Sequence, residues 1–176
     1  MTQGGGRVRS YVMKRRLILM RHAKSSWGSE ADTDHDRPLN ARGKRDAPAI
    51  AERLEAMGWV PDAVYSSTSK RTRSTWKRMA AVLPDGKAIP VVWEPDFYHG
   101  DSRAIGLSAA SWPDGVETIL VLGHNPGWED ALALLSEVET LMTTSNAALL
   151  EGRGESWVDA FRAPWSLTEL LRPREL

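Results

Sequence analysis

The sequence predicts a single α/β domain with a mostly parallel central sheet flanked by helices. Three observations carry that prediction. Short apolar runs of strand length alternate along the chain with longer segments of helical character. Most of those runs are apolar throughout, as expected when helices cover both faces of a sheet. The chain has 176 residues, 41% of them hydrophobic, which suits one core and one domain.

Residues 1–14, opening "MTQGGGRVRSYV", are Gly-rich and basic with little to bury. They read as a mobile tail ahead of a domain over residues 15–176, and the basic cluster Arg7, Arg9, Lys14, Arg15 and Arg16 is expected to be solvated. The first strand is "RLILM", residues 16–20. A helix follows from a cap at Asn40 toward Met57, with Gly58 as its stop. Pro48 lies inside it and should kink or split it. "AVYS" (63–66) gives the second strand, and Lys70–Val82 the second helix, ending before Pro-Asp-Gly. Strands at 89–93, 118–122 and 147–151 then alternate with helices at Ser102–Ser111 and Trp128–Leu135. The stretch after Glu151, rich in Gly, Pro and Trp, carries no clear period. Eight tryptophans against two phenylalanines read as rings that fill a core.

Charge and composition exclude several classes of function. Twenty-three basic and 23 acidic residues cancel, so the excess expected of a nucleic-acid or membrane-surface binder is missing. Neither partner is expected. With no cysteine there is no disulfide, no thiolate metal site and no cysteine nucleophile, which fits a cytoplasmic protein. No apolar run approaches the roughly 20 residues of a membrane span. Nothing in the sequence fixes an oligomeric state.

Open α/β sheets hold ligands in the crevice beyond the carboxyl ends of their strands. Arg21 and His22 follow the first strand with no spacer. "SSTSKRTRST", with Arg71, follows the second, and "GHNP", with His124, follows the 118–122 run. Two of the four histidines of the chain therefore stand on this edge. Two imidazoles and two guanidiniums gathered there make sense around a dianion, because arginine forks match phosphate oxygens in pairs. The crevice is expected to hold a phosphoryl group.

The stretches "LMRHAKSSW", "DHDRPLNARGKRDAP", "SSTSKRTRST" and "GHNPGWEDAL" together span about residues 16 to 135. In them the chain resembles the histidine phosphatase superfamily, with its phosphoglycerate-mutase-like fold, and within it the SixA-type phosphohistidine phosphatases. It departs from the mutases at Ala23 and Gly28, where they carry a Gly and a phosphate-binding Asn. The resemblance implies that His22 is the nucleophile that becomes phosphorylated and that Arg21, Arg71 and His124 clamp the phosphoryl group. It implies no cofactor and no metal. The chemistry is consistent: a neutral imidazole is a good nucleophile near pH 7, and fixed cations stabilise the charge of the transition state. Lys24 and Ser26 lie within reach of the substrate.

The general acid is the least defined part. The superfamily's carboxylate follows the third strand, in "WEPDFYHGDS", where Glu94, Asp96 and Asp101 are candidates and His99 is a further option. Asp34, His35 and Asp36 read first as structural, pairing with Arg37 to order the loop ahead of Asn40. An imidazole leaving group needs less help from an acid than an alkoxide does. The short chain from Trp93 to Thr118 leaves little material for a lid. Both features favour phosphohistidine on a protein as substrate, with a small phosphate ester as the alternative. A metal-dependent hydrolase using His22, His35, His99 or His124 with Asp34 or Asp36 is the rival enzyme, and a non-catalytic phosphate-binding module is the reading from another class.

Overall fold

The computed structural model describes residues 11–176; Arg7, Arg9 and the rest of the tail up to residue 10 lie outside the described residues. The first strand, β1, runs Met13–Arg21, beginning three residues before the apolar run. Its basic start is held by partners. Lys14 and Arg16 pair with Glu151 at 2.6 and 3.7 Å. Arg15 is fully buried, contrary to the solvated position expected of it. It donates to the carbonyls of Asp114, Val116 and Glu155 at 2.8, 3.0 and 2.9 Å, and its guanidinium lies 5.2 Å from the centre of the Trp157 ring. Three fixed acceptors and an aromatic face offset the desolvation of that charge.

The sheet is completed by β2 (Ala63–Ser67), β3 (Val91–Glu94), β4 (Thr118–Gly123), β5 (Ala147–Gly154) and β6 (Ser166–Leu171), in the order β3-β2-β4-β1-β5-β6. β3, β2, β4 and β1 are parallel, whereas β5 is antiparallel to β1 and β6 to β5. Successive side chains of β1 split between two cores. Leu17 and Leu19 join Tyr65 and Val121 beneath the rings of Trp112, Trp128, Trp157 and Trp165. Ile18 and Met20 join Val64 and Leu122 on the other face, against Ile50, Leu54, Trp76 and Met79. Six of the eight tryptophans are buried, as core filler should be.

The second face is covered by α1 (Ala41–Ala56) and α2 (Lys70–Ala80); α3 (Ser102–Ala109), α4 (Gly127–Ser136) and the short α5 (Trp157–Ala160) cover the first. Asn40 caps α1 by accepting from the Gly43 amide at 2.9 Å. Gly58, at φ +71°, ends it: the Gly58 amide bonds the Glu55 carbonyl and the Trp59 amide bonds the Leu54 carbonyl. Pro48 does not split the helix, which runs unbroken through it. Its missing N–H frees only the carbonyl of Lys44, an exposed residue, while Ala47, Ile50, Ala51 and Leu54 hold the helix to the core. The stretch after Glu151, silent in the sequence, supplies the end of β5, α5 and β6. Because the four parallel strands point the same way, β1, β2 and β4 deliver His22, Ser67 and His124 to one edge. The antiparallel β5 brings the residues before it, Ser145 and Asn146, to that same edge.

Candidate active site

His22 leaves β1 into a loop that has no freedom to drift. The Ala23 amide donates to Thr75 Oγ1 on α2 at 3.0 Å, and the His22 carbonyl accepts from the Ser145 amide at 3.0 Å. The Lys24 carbonyl accepts from the Asn40 amide, and the Ser26 amide donates to the Pro38 carbonyl. A Cβ at Gly43 would collide with the Lys24 carbonyl, so glycine is what lets α1 lie against this loop. His22 is 6% exposed, its ring fixed by Nδ1, which lies 2.7 Å from the carbonyl oxygen of Ala23. A carbonyl only accepts, so Nδ1 carries the proton and Nε2 presents its lone pair.

That lone pair faces Arg71, whose Nε–H donates to His22 Nε2 at 3.3 Å. Nη2 of the same guanidinium lies 3.4 Å from His124 Nδ1, and His124 Nε2 lies 2.8 Å from Ser67 Oγ. Since Arg71 can only donate, His124 Nδ1 bears a lone pair and Nε2–H donates to Ser67. The two imidazole centres are 5.0 Å apart. Burial, with the neighbouring Arg71 and Arg21 charges behind it, lowers the His22 pKa to about 3. Burial first, then His22 and Arg71, lower that of His124 to about 2. Both imidazoles are therefore neutral at physiological pH. Arg21 donates through Nη1 to the Met142 carbonyl at 2.9 Å, and its Nε–H is buried with no hydrogen-bond partner among the described residues. The Arg71 charge acts on Arg21 and on both histidines, so the four expected residues stand together.

A carboxylate meets this cluster from the loop after β1. Arg71 Nη1 and Nη2 donate to the Asp34 carbonyl and to Asp34 Oδ2, at 2.6 and 3.0 Å. Tyr98 donates its hydroxyl to the same oxygen at 2.6 Å, and Arg37 Nε lies 2.9 Å from Oδ1. The Tyr98 hydrogen bond first, then Arg71 and Arg37, hold the Asp34 carboxyl down at about 2. The expected pairing of Asp34 with Arg37 is present, but its extension to Arg71 and Tyr98 had no signal in the sequence. Ser67 was equally silent as the partner of His124.

The other expected residues lie differently. What holds Lys24 and Ser26 in place is their backbone pairing to the start of α1. Glu94 accepts from Ser108 Oγ at 2.7 Å, and that hydroxyl in turn accepts from Trp112 Nε1 at 2.9 Å. Asp101 caps α3, accepting from the Arg103 and Ala104 amides. Both carboxylates are thus engaged with α3. The His99 ring lies tilted against Tyr98, with centres 4.1 Å apart, and His35 lies 3.0 Å from Thr68 Oγ1. Among the described residues, no three His, Asp or Glu side chains converge as a metal-ligand set.

Known proteins resemble this chain in sequence and fold. The family model described as the histidine phosphatase superfamily (branch 1) matches residues 17–98. An uncharacterised chloroplastic protein of Arabidopsis thaliana is 39% identical over 93% of this chain and 80% of its own. The structure of SixA from Nakamurella multipartitia, a candidate phosphohistidine phosphatase, superposes with a TM-score of 0.77 at 27% identity, covering 92% of this chain and 97% of that one. The protein histidine phosphatase SixA complexed with tungstate shares the fold, with a TM-score of 0.76 at 21% identity, over 91% of this chain and 98% of that one. The matched region from β1 to Tyr98 and the shared SixA fold agree, and the chain belongs to the histidine phosphatase superfamily.

Proposed function

We propose that the protein is a metal-independent phosphohistidine phosphatase that works through a phosphorylated His22. The observation that carries this reading is the fixed tautomer of His22, with Nδ1–H tied to the Ala23 carbonyl and the Nε2 lone pair aimed at Arg71. In the first step Nε2 attacks phosphorus, and the bond from phosphorus to the substrate imidazole breaks. Its electron pair returns to that imidazole, which leaves neutral when its other nitrogen carries a proton. His22 becomes a phosphoimidazolium whose Nδ1–H the Ala23 carbonyl steadies. Water then attacks, the electron pair returns to Nε2, and the water proton leaves with the phosphate. Splitting one transfer into two lowers each barrier. Arg21 and Arg71 stabilise the equatorial oxygens, and His124 Nδ1 contacts them once it takes a proton.

Phosphohistidine is favoured over phosphate esters because two of the three carboxylates of the expected acid loop are occupied, Glu94 by Ser108 and Asp101 by the amides of α3, while the third, Asp96, is exposed. An alkoxide leaving group forgoes the roughly 10²–10⁴-fold help of a general acid there. Brief exposure to a labelled phosphohistidine peptide, followed by an alkaline quench, is expected to trap an acid-labile phosphoenzyme that His22→Ala does not form. The same peptide is expected to exceed glycerol and sugar phosphates in kcat/KM. A preference for the esters, abolished by Glu94→Gln or Asp101→Asn, would make the protein a small-molecule phosphomonoesterase instead.

A further inference from the structure

We propose that Asp34 is a positioning residue of the phosphoryl site: it grips the end of the Arg71 guanidinium so that the side edge of that fork faces the two imidazoles. The inference rests on reading the crevice as a phosphoryl site. A guanidinium offers two edges for paired hydrogen bonds, the end edge of Nη1 and Nη2 and the side edge of Nε and Nη2. Here the end edge is filled by one residue, which accepts through its backbone carbonyl at 2.6 Å and its carboxylate at 3.0 Å. The side edge is left pointing at His22 Nε2 and His124 Nδ1, at 3.3 and 3.4 Å. Nη2 spends one hydrogen on each partner, so the orientation of the fork is determined from both sides.

The Asp34 carboxylate is itself held by three residues. Besides Arg71, it receives the Tyr98 hydroxyl and the Arg37 guanidinium. Arg37 is backed by the Trp27 ring, 3.8 Å from its Cζ. The turn that carries Asp34 is pinned at its base by Thr33 Oγ1 donating to Asp36 and at its side by His35 against Thr68. This is unlike an ordinary surface ion pair, which contributes little: the Arg71 side chain is only 7% exposed, and two of its three nitrogens are committed to Asp34. The carboxylate also sets a negative charge behind a buried cation whose side edge meets only neutral rings.

Freed from Asp34, the fork turns about its own side-chain bonds, and a displacement near 1 Å in a reacting site costs about a hundredfold in rate. Asp34→Ala is expected to lose about that much kcat/KM, with Asp34→Asn, which keeps one acceptor oxygen, recovering part of it. In an Arg71→Ala background the same substitution is expected to cost less than about threefold, because residues acting through one another are non-additive. Calorimetry with inorganic phosphate supplies a second readout independent of the substrate and of the chemical step. Affinity should fall in Asp34→Ala and should not fall further in the double variant. Melting temperatures identify any variant that misfolds, in which case Asp34→Asn and Tyr98→Phe carry the comparison. Equal phosphate affinity and kcat/KM in wild type and Asp34→Ala, or losses that multiply with Arg71→Ala, would overturn the positioning role alone. If the wild-type protein itself neither binds phosphate nor turns over any phosphorylated substrate, the phosphoryl-site reading falls and this inference with it.

Discussion

Both ends of β1 bury arginine, and the two ends do so to opposite effect. At the start of the strand Arg15 is fully enclosed and its terminal nitrogens end on three backbone carbonyls, with Trp157 against its face. Beyond the far end, Arg71 is nearly as deeply buried, yet its side edge meets only neutral imidazole nitrogens at 3.3 and 3.4 Å. Strong charged donors facing long, weak contacts lose little when an oxyanion replaces those contacts. A buried cation whose terminal nitrogens all end on carbonyls is a fastener, even though the Arg15 Nε–H, like that of Arg21, has no partner among the described residues. One with an edge left over is a receptor.

The contrast can be broken by exchanging which property each arginine controls. Arg71→Ala should lower kcat/KM about a hundred- to a thousandfold, the loss typical of a preorganised oxyanion contact, and Arg71→Lys should do little better. Arg73 donates to the Thr68 carbonyl and packs on Trp93, so Arg73→Ala should leave steady-state kinetics near wild type. Comparable small losses at both positions would remove the distinction. Arg15→Ala should act the other way round, leaving kcat/KM of the folded enzyme unchanged. It strands three carbonyls, and urea denaturation should show a loss of about 3–5 kcal/mol.

Acid sharpens the comparison further, because only the receptor end carries buried neutral histidines. Their folded pKa values lie below the unfolded value near 6.5, so the unfolded chain binds more protons below that pH. Stability is therefore expected to be flat above pH about 6.5 and to decline on acidification toward 3, by at most about 1.4 kcal/mol per pH unit for each histidine. His22→Asn should flatten that decline in denaturation midpoints measured from pH 8 to 4, whereas Arg15→Ala should leave its slope intact. The smallest effect is expected at Gly58, which lies in neither end. Gly58→Ala forces a side chain into a positive φ and should cost about 1 kcal/mol with no change in turnover.

Much of the receptor end was legible in the sequence because parallel strands must deliver their last residues to one edge. Once the apolar runs were recognised as strands of a parallel sheet, the ends of three of them placed Arg21, His22, Arg71 and His124 on one edge. The cap at Asn40 and the stop at Gly58 were legible for a local reason, since each satisfies backbone groups within its own helix end. Arg15 was not. One basic residue beside a glycine-rich tail looks like the next, and its burial depends on carbonyls about 100 and 140 residues further along. Asp34 was read as a partner for Arg37, three residues away, but its grip on Arg71 is a tertiary contact with no local trace. β6 escaped notice because it is an edge strand, largely exposed, whose burial gives neither an apolar run nor a clean alternation.

One arrangement around the crevice turns the protein into its own reporter. Tyr98 lies 4.1 Å from His99, 4.9 Å from His35 and 5.5 Å from His124, which is itself 5.0 Å from His22. These are the four histidines of the chain. A nitrogen-15 imidazole spectrum therefore contains no signal from anywhere else, and each of its resonances should move when an anion enters the crevice. Since the sequence has no cysteine, a single thiol introduced at exposed Trp27 would take one label, placed against Arg37 and free of background.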